Sequence, residues 1–269
     1  MAKVGETPDP ETMTITKYEY DNLILWDSPG LGDGKENDLR HAKNIVNKLT
    51  ETDGDGNALI DLVLVILDGS TRDLGTSYQL INEVIIKTMG KDRADRVLVA
   101  INQCDIAMKG RYWDHENNKP EPKLTGYLND MVRSVHDRIK EGTGVDIVPI
   151  YYCAGYKDGD EVQHPYNLSK LMLFIIEHSP KQKRLVYAQN MSKDPDVWKD
   201  NDDLDDYQTH IKKSFSDTFK EGITKGAETG SMIGEAILGT PGRIVGGLIG
   251  GVVGGIGSAI GSFFHGIFG

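Results

Sequence analysis

Four short loops carry the side chains of this chain that could do chemistry, and each follows directly on an apolar run. Asp27-Ser28-Pro29-Gly30 follows the run 23–26, and Asp68-Gly69-Ser70 follows 62–67. Asn102-Gln103-Cys104-Asp105 follows 97–101, and Cys153-Ala154-Gly155 follows 148–152. In an open parallel sheet, ligands gather at the carboxyl ends of the strands, so these loops are where a site belongs. The first loop continues to Gly34 and Lys35, which invites reading it as a phosphate cradle of the form G-x-x-x-x-G-K-[ST]. The spacing from Gly30 to Gly34 is one residue short, Glu36 stands where a metal-binding hydroxyl is needed, and Asp33 would repel phosphate. That stretch is therefore not the cradle, and no other part of the sequence matches the pattern.

The elements that would position these loops are legible as periodicities. Residues 12–20, TMTITKYEY, alternate as a half-exposed strand does, Asp21-Asn22 marks a turn, and 23–26 returns as a second strand of a hairpin. Helices are predicted over 41–49, over 78–89 with Leu80, Ile81, Val84 and Ile85 inward, and over 168–177. Another carries Leu128, Met131, Val132, Val135 and Ile139 on one face. The continuous apolar runs LVLVIL (62–67) and VLVAI (97–101) predict strands buried on both faces. A polar loop occupies 109–122. Strands alternating with helices at this spacing predict an α/β, doubly wound, mostly parallel sheet.

The domain is expected to end near residue 180, followed by an acidic linker over 181–203 and a helical, glycine-rich extension over 204–269. Leu204, Tyr207, Ile211, Phe215 and Phe219 recur at helical spacing and read as a buried stripe. Beyond them, glycines repeat every four residues, as in Gly242, Gly246, Gly250 and Gly254, and 244–269 carries one terminal charge-free run without Asp, Glu, Lys or Arg. Small residues at that spacing let helices approach closely, above all in membranes. Membrane or self-association through 222–269 stands beside the plainer alternative of a packed or flexible glycine-rich tail.

Composition narrows the classes. The chain has 269 residues and a formal net charge of −11, which argues against a broad basic nucleic-acid surface. Its two cysteines make no disulfide framework, and a reducing cytosol is expected, with a peripheral position at the inner face of the membrane if the tail anchors there. No signal peptide is expected, because Lys3 and Glu6 come early and no apolar run follows. Cys104 and Cys153 read as small packing residues, and His41, His115 and His164 have no partners at metal-ligand spacing. Asp53-Gly-Asp55-Gly-Asn57 resembles a calcium loop but has Ala58 at the sixth position and Leu64 at the twelfth, so it reads as a solvated turn.

Taken in order and spacing, the loops resemble the later motifs of Era-like P-loop GTPases, in particular the 50S ribosome-binding type. Asp27-x-x-Gly30 looks like the third GTPase motif, Asn102-Gln103-Cys104-Asp105 like the guanine-reading Asn-Lys-x-Asp, and Cys153-Ala154-Gly155 like the Ser-Ala-Lys-type loop. Thr7-Pro-Asp-Pro-Glu11 resembles the first switch. The resemblance covers 1–180 and implies a Ras-like fold lacking its first strand and phosphate loop, with GTP or GDP and Mg²⁺ as cofactors. It implies that Asp27 and Thr7 hold Mg²⁺, that the Gly30 amide meets the γ-phosphate, and that Asp105 accepts hydrogen bonds from guanine N1–H and N2–H. Asn102 would brace the loop, and the Ala154 amide, beside Cys153, would donate to guanine O6. Ribosome or RNA association follows from the family only.

Two departures stand out. Gln103 replaces the lysine whose stem packs on the base, and the phosphate loop is missing, so hydrolysis is expected to be impaired. In the family the missing strand lies between the strands at 23–26 and 62–67. Without it the two would have to pair directly or leave backbone groups without partners, each at about 1–3 kcal/mol. A chain lacking its upstream part is favoured here over an evolved pseudo-GTPase.

Overall fold

The computed structural model describes residues 14–20, 23–32, 34–71, 73–158, 161–192 and 194–224. Two compact units divide it: one made of Met1–Tyr18 and Ile24–Tyr152, the other of Glu19–Leu23 and Cys153 onward. The fold is mixed α/β, and the sheet that organises the first unit is small.

That sheet has three strands, β3 (Val63–Asp68), β4 (Val97–Asn102) and β7 (Ile150–Tyr151), in the order β3-β4-β7. Both pairings are parallel, with Val63 opposite Val97 through Asp68 opposite Asn102, and Ala100 and Ile101 opposite Ile150 and Tyr151. β4 is the middle strand, and Val97 to Ile101 are all buried, as a continuous apolar run on a doubly covered strand should be. β3 departs from the expectation of burial on both faces. Val65 and Leu67 are buried, but Ile66 is 56% exposed. The reason is its position: β3 is an edge strand of this sheet, and its second face lacks full cover among the described residues.

β1 (Thr16–Tyr20) and β2 (Leu23–Asp27) form a separate two-stranded sheet. Direct pairing of β2 with β3 does not occur. The consequence is visible in β2, where the neighbours Ile24 and Leu25, which point to opposite faces, are each 48% exposed. Trp26 is better covered, with the Lys48 ammonium 3.7 Å from its ring centroid. Lys48 belongs to α1 (Lys35–Thr50), which starts six residues earlier than periodicity suggests and buries His41, Ile45 and Leu49 at a spacing of four.

The expected helix at 78–89 is present but not uniform. It runs as α2 (Gly75–Gln79), a π-helical turn at Leu80–Ile85, and α3 (Ile86–Met89). Along it Val84, Ile85 and Ile86 are buried in succession, while Leu80 is only half-buried. α4 (Pro122–Thr143) is regular. Pro122 opens it, Leu124, Leu128, Val135 and Ile139 face inward, and left-handed Gly144 closes it by donating to the Lys140 carbonyl at 2.8 Å. The polar stretch before it contains a minimal hairpin, β5 (Trp113–Asp114) with β6 (Lys119–Pro120).

The second unit contains the hairpin β8 (Tyr156–Asp158) and β9 (Glu161–Gln163), then α5 (Leu168–His178), α6 (Leu185–Asn190) and α7 (Tyr207–Thr224). Its core joins Leu173 and Ile176 to Leu185, Ala188 and Met191 and to Tyr207, Ile211 and Phe215. Residues 185–191 therefore pack as structure, although their surroundings read as a linker. Leu204 is outside the stripe, ahead of α7 and 78% exposed, and the Phe219 side chain lies outside the described residues. The acidic segment is tied down by Asp202, which accepts from Lys170 Nζ and from the Tyr207 hydroxyl, both at 2.6 Å. Burial alone would push its carboxyl up, but the Lys170 and Tyr207 hydrogen bonds outweigh this and hold it below the usual value. The tail from 225 to 269 lies outside the described residues, and so does the expectation of membrane or self-association that rests on it. Among the described residues, no helix is long and apolar enough to cross a membrane.

Candidate functional site

Parallel pairing brings the ends of β3 and β4 together, because Asp68 and Asn102 are register partners. The loops beyond them interlock. The Gly69 amide donates to the Asn102 carbonyl at 2.8 Å, and a Cβ at Gly69 would lie 2.6 Å from that same oxygen. Only glycine fits without displacing the Asn102 loop. The strand β7 side adds two more ties: the Tyr152 amide donates to the Ile101 carbonyl at 2.8 Å, and the Cys104 amide donates to the Tyr152 carbonyl at 3.2 Å. The loop is thus fixed from both neighbouring strands. The sequence places Gly69 in a candidate loop, by the turn signal Asp-Gly-Ser after a buried strand, but assigns it no role.

Within this frame Gln103 is exposed and adopts a left-handed backbone at φ 60°, which costs a non-glycine residue about 1–2 kcal/mol. Cys104 is fully buried and acts as packing under the loop. Asp105 is the exception to good satisfaction. Its side chain is only 6% exposed, and its Oδ1 has no hydrogen-bond partner. A buried carboxylate oxygen without a donor costs about 1–3 kcal/mol or more, so a position like this calls for a ligand with N–H groups to offer. Cys104 and Asp105, adjacent in sequence, are thus separated by role: one fills space, the other presents an acceptor.

The Asp27 loop is built differently. Asp27 ends β2 and is exposed, as is Gly30. The segment after it is clipped to α1. The Gly32 amide donates to Asp38 Oδ1 at 2.7 Å, and the Gly30 carbonyl lies 3.2 Å from Nδ1 of the fully buried His41. His41 is a positioning residue that sequence spacing did not reveal; a histidine on the inward stripe of a helix was the only sign. Lys35 is exposed as the first residue of α1, not enclosed in a phosphate-wrapping loop.

Thr7 lies outside the described residues. Cys153 and Ala154 follow β7 in the chain but belong to the second unit. There the Cys153 amide donates to Tyr166 and its carbonyl accepts from the Tyr166 amide, at 3.0 and 2.9 Å. Ala154 is exposed, and the Gly155 amide donates to Cys153 Sγ at 3.3 Å. Gly155 has φ 73°, and a Cβ there would meet the Gln163 carbonyl at 2.5 Å, so glycine is required. Of the predicted residues, the structure therefore brings Asn102, Gln103 and Asp105 into one fixed loop and sets Asp27 and Gly30 in another.

The donor sets fit the implied ligands unequally. Asp105 offers one buried acceptor, Oδ1, that a ligand N–H could meet. For Mg²⁺, Asp27 is a single carboxylate, and among the described residues no three His, Cys, Asp or Glu side chains group as metal ligands. The Asp53 turn is closed on itself, its carboxylate accepting the amides of Asp55 and Asn57 at 2.9 and 2.8 Å. No family model, no curated protein and no solved structure matches the chain.

Proposed function

We propose that the chain binds guanine nucleotides, with Asp105 reading the base, as a member of the Era-like GTPases of the 50S ribosome-binding type would. One observation carries this reading: the buried Asp105 carboxylate oxygen without a partner, at the position where the sequence pattern calls for a guanine reader. Guanine offers N1–H and N2–H side by side, so one carboxylate takes both; adenine has no such pair and is rejected by leaving the carboxylate unpaired. The parallel order β3-β4-β7, with a candidate loop at the carboxyl end of each strand, supports the same reading. In it, Asn102 and Gly69 hold the loop that carries Asp105. We place the protein in the cytosol, where its two buried cysteines, Cys104 and Cys153, would stay reduced.

The phosphate side carries less. Mg²⁺, when bound, would supply charge neutralisation between the phosphates, and Asp27 with Thr7 would hold it. The Gly30 amide is open to an anion. No phosphate-loop lysine is present, so hydrolysis is assigned at most a weak rate. Titration of the chain with a fluorescent GDP analogue, with ADP as competitor, tests the reading. Saturable binding that unlabelled GDP reverses and ADP does not is the expected result. Equal competition by ADP, or no saturation up to millimolar nucleotide, would overturn it.

A further inference from the structure

A cavity in the first unit lies outside the Asn102–Asp105 loop assigned to the base. It has a volume of about 440 Å³ and is lined by Ser70, Met108, Lys109, Arg111 and Tyr127. That volume falls in the range of small-molecule sites. The lining is cationic in a chain whose net charge is −11. Lys109 and Arg111 are both exposed, and neither takes part in an ion pair with a described residue. The guanidinium is oriented rather than neutralised: Arg111 Nε donates to the Met108 carbonyl at 3.1 Å, which leaves its two terminal nitrogens for another acceptor. The nearby Asp68 carboxylate is turned to the Ser70 amide at 2.8 Å.

The backbone beneath these cations is strained. Met108, Lys109, Gly110 and Tyr112 all have positive φ, at 53°, 64°, 69° and 68°. Three of these are L residues in a region that sterics disfavour, and such strain persists where the surroundings over-determine it. Here the Gly110 amide donates to Ile106 at 3.0 Å, the Glu121 amide to Tyr112 at 2.8 Å, and Lys123 Nζ to the Tyr112 hydroxyl at 2.9 Å. The result places two cations, separated by one glycine, at the mouth of one cavity with the Ser70 and Tyr127 side chains.

We propose that this cavity is a binding site for a small phosphate monoester. Two unpaired cations match the two charges of a phosphoryl group, Arg111 can meet two of its oxygens with paired N–H groups, and the Ser70 hydroxyl can donate to a third. The Met108 side chain and the Tyr127 ring offer the ester's organic part an apolar wall. A carboxylate brings half the charge and a planar head, and serves the same donors less well.

The test is calorimetric titration of the full chain with phenyl phosphate, with inorganic phosphate, benzoate and phenol as comparisons. Phenyl phosphate saturates at one site, inorganic phosphate and benzoate bind at least fivefold more weakly, and phenol does not bind. Lys109→Gln and Arg111→Gln each weaken phenyl phosphate at least tenfold, while Lys43→Gln, at an exposed cation on α1, changes nothing. Lys109→Gly suits a φ of 64° better than lysine does; it loses the same binding with thermal stability kept or raised, which separates ligand contact from folding. Asp105→Ala leaves phenyl phosphate binding unchanged, so the site stands or falls apart from the guanine reading. Absence of saturation, equal binding of inorganic phosphate or benzoate, or an equal loss in Lys43→Gln would overturn the proposal.

Discussion

The loop after β4 and the loop after β2 end strands of similar length and composition, yet they are opposite kinds of structure. β4 is buried on both faces, and its loop is clamped by β3 on one side and β7 on the other. β2 belongs to a two-stranded sheet, with Ile24 and Leu25 half in solvent, and its loop is held by α1 through Asp38 and His41. The two halves of a nucleotide site make different demands on the backbone that carries them. Reading a base needs one acceptor, desolvated and immobile, which the centre of a small sheet can provide. Handling phosphates needs several converging amides and cations, which a hairpin end does not provide.

The largest effect expected from breaking this contrast is at Asp105. Asp105→Ala should weaken guanine nucleotide binding about 100-fold, the value of two hydrogen bonds to a charged acceptor. The same change should raise the thermal midpoint, because it removes a buried oxygen that no protein group satisfies. Loss of binding together with loss of stability would mean that Asp105 is structural. Next is Gly69→Ala, whose Cβ would press on the Asn102 carbonyl at 2.6 Å. It should cost about 2 kcal/mol in chemical denaturation and weaken nucleotide binding as the loop shifts. An unchanged midpoint would show that the loop yields easily.

A smaller, pH-dependent effect sharpens the β7 side. His136 on α4 lies 2.6 Å from Asp146 and 2.9 Å from Asp137, and Lys140 also reaches Asp146, at 3.1 Å. Hydrogen bonds that the ring donates to Asp146 first, then to Asp137, raise the imidazole above its ordinary value. A raised folded value means the stabilisation is complete below the unfolded pKa of about 6.5 and is lost as pH rises through the folded value. His136→Gln should therefore lower the thermal midpoint at pH 5.5 and leave it equal to the parent at pH 9; an equal difference at both pH values would contradict this. The smallest effect is expected at Asp27→Asn, less than threefold in GDP affinity, since the hairpin end contributes little. A loss of tenfold or more would show that the phosphate side is better organised than its exposure indicates.

How far these features could be read in advance follows from what each residue touches. β4 and α4 were legible because each is regular and covered as its pattern requires, Val97 to Ile101 without a break and Leu124 to Ile139 on one stripe. The parallel sheet followed from the alternation of strands and helices. β3 was misread because its apolar run carries no mark of being at an edge, where Ile66 meets solvent. The π turn at Leu80–Ile85 has no periodic signature that survives in a short window. Leu185, Ala188 and Met191 were hidden by charged neighbours, and only their contacts with α5 and α7 show them as core. The β8–β9 hairpin was missed although Asp158-Gly159 is a turn signal of the right kind. Asp105 was singled out by its motif and is buried with an unpartnered Oδ1, while the cations Lys109 and Arg111 carry no motif and are brought to one cavity by a left-handed turn rather than by spacing.

If Asp105 reads the base through a pair of N–H groups, exchanging the hydrogen-bond pattern at that position must exchange the base that is bound. Asp105→Asn replaces one acceptor by a donor, which matches xanthine, where a carbonyl oxygen stands in place of the guanine amino group. Parallel titration of parent and Asp105→Asn with GDP and xanthosine diphosphate should show a reversal, the parent preferring GDP and the variant preferring xanthosine diphosphate, each by at least tenfold. Equal loss of both ligands in the variant, or an unchanged preference, would contradict the assignment of Asp105 as the reader.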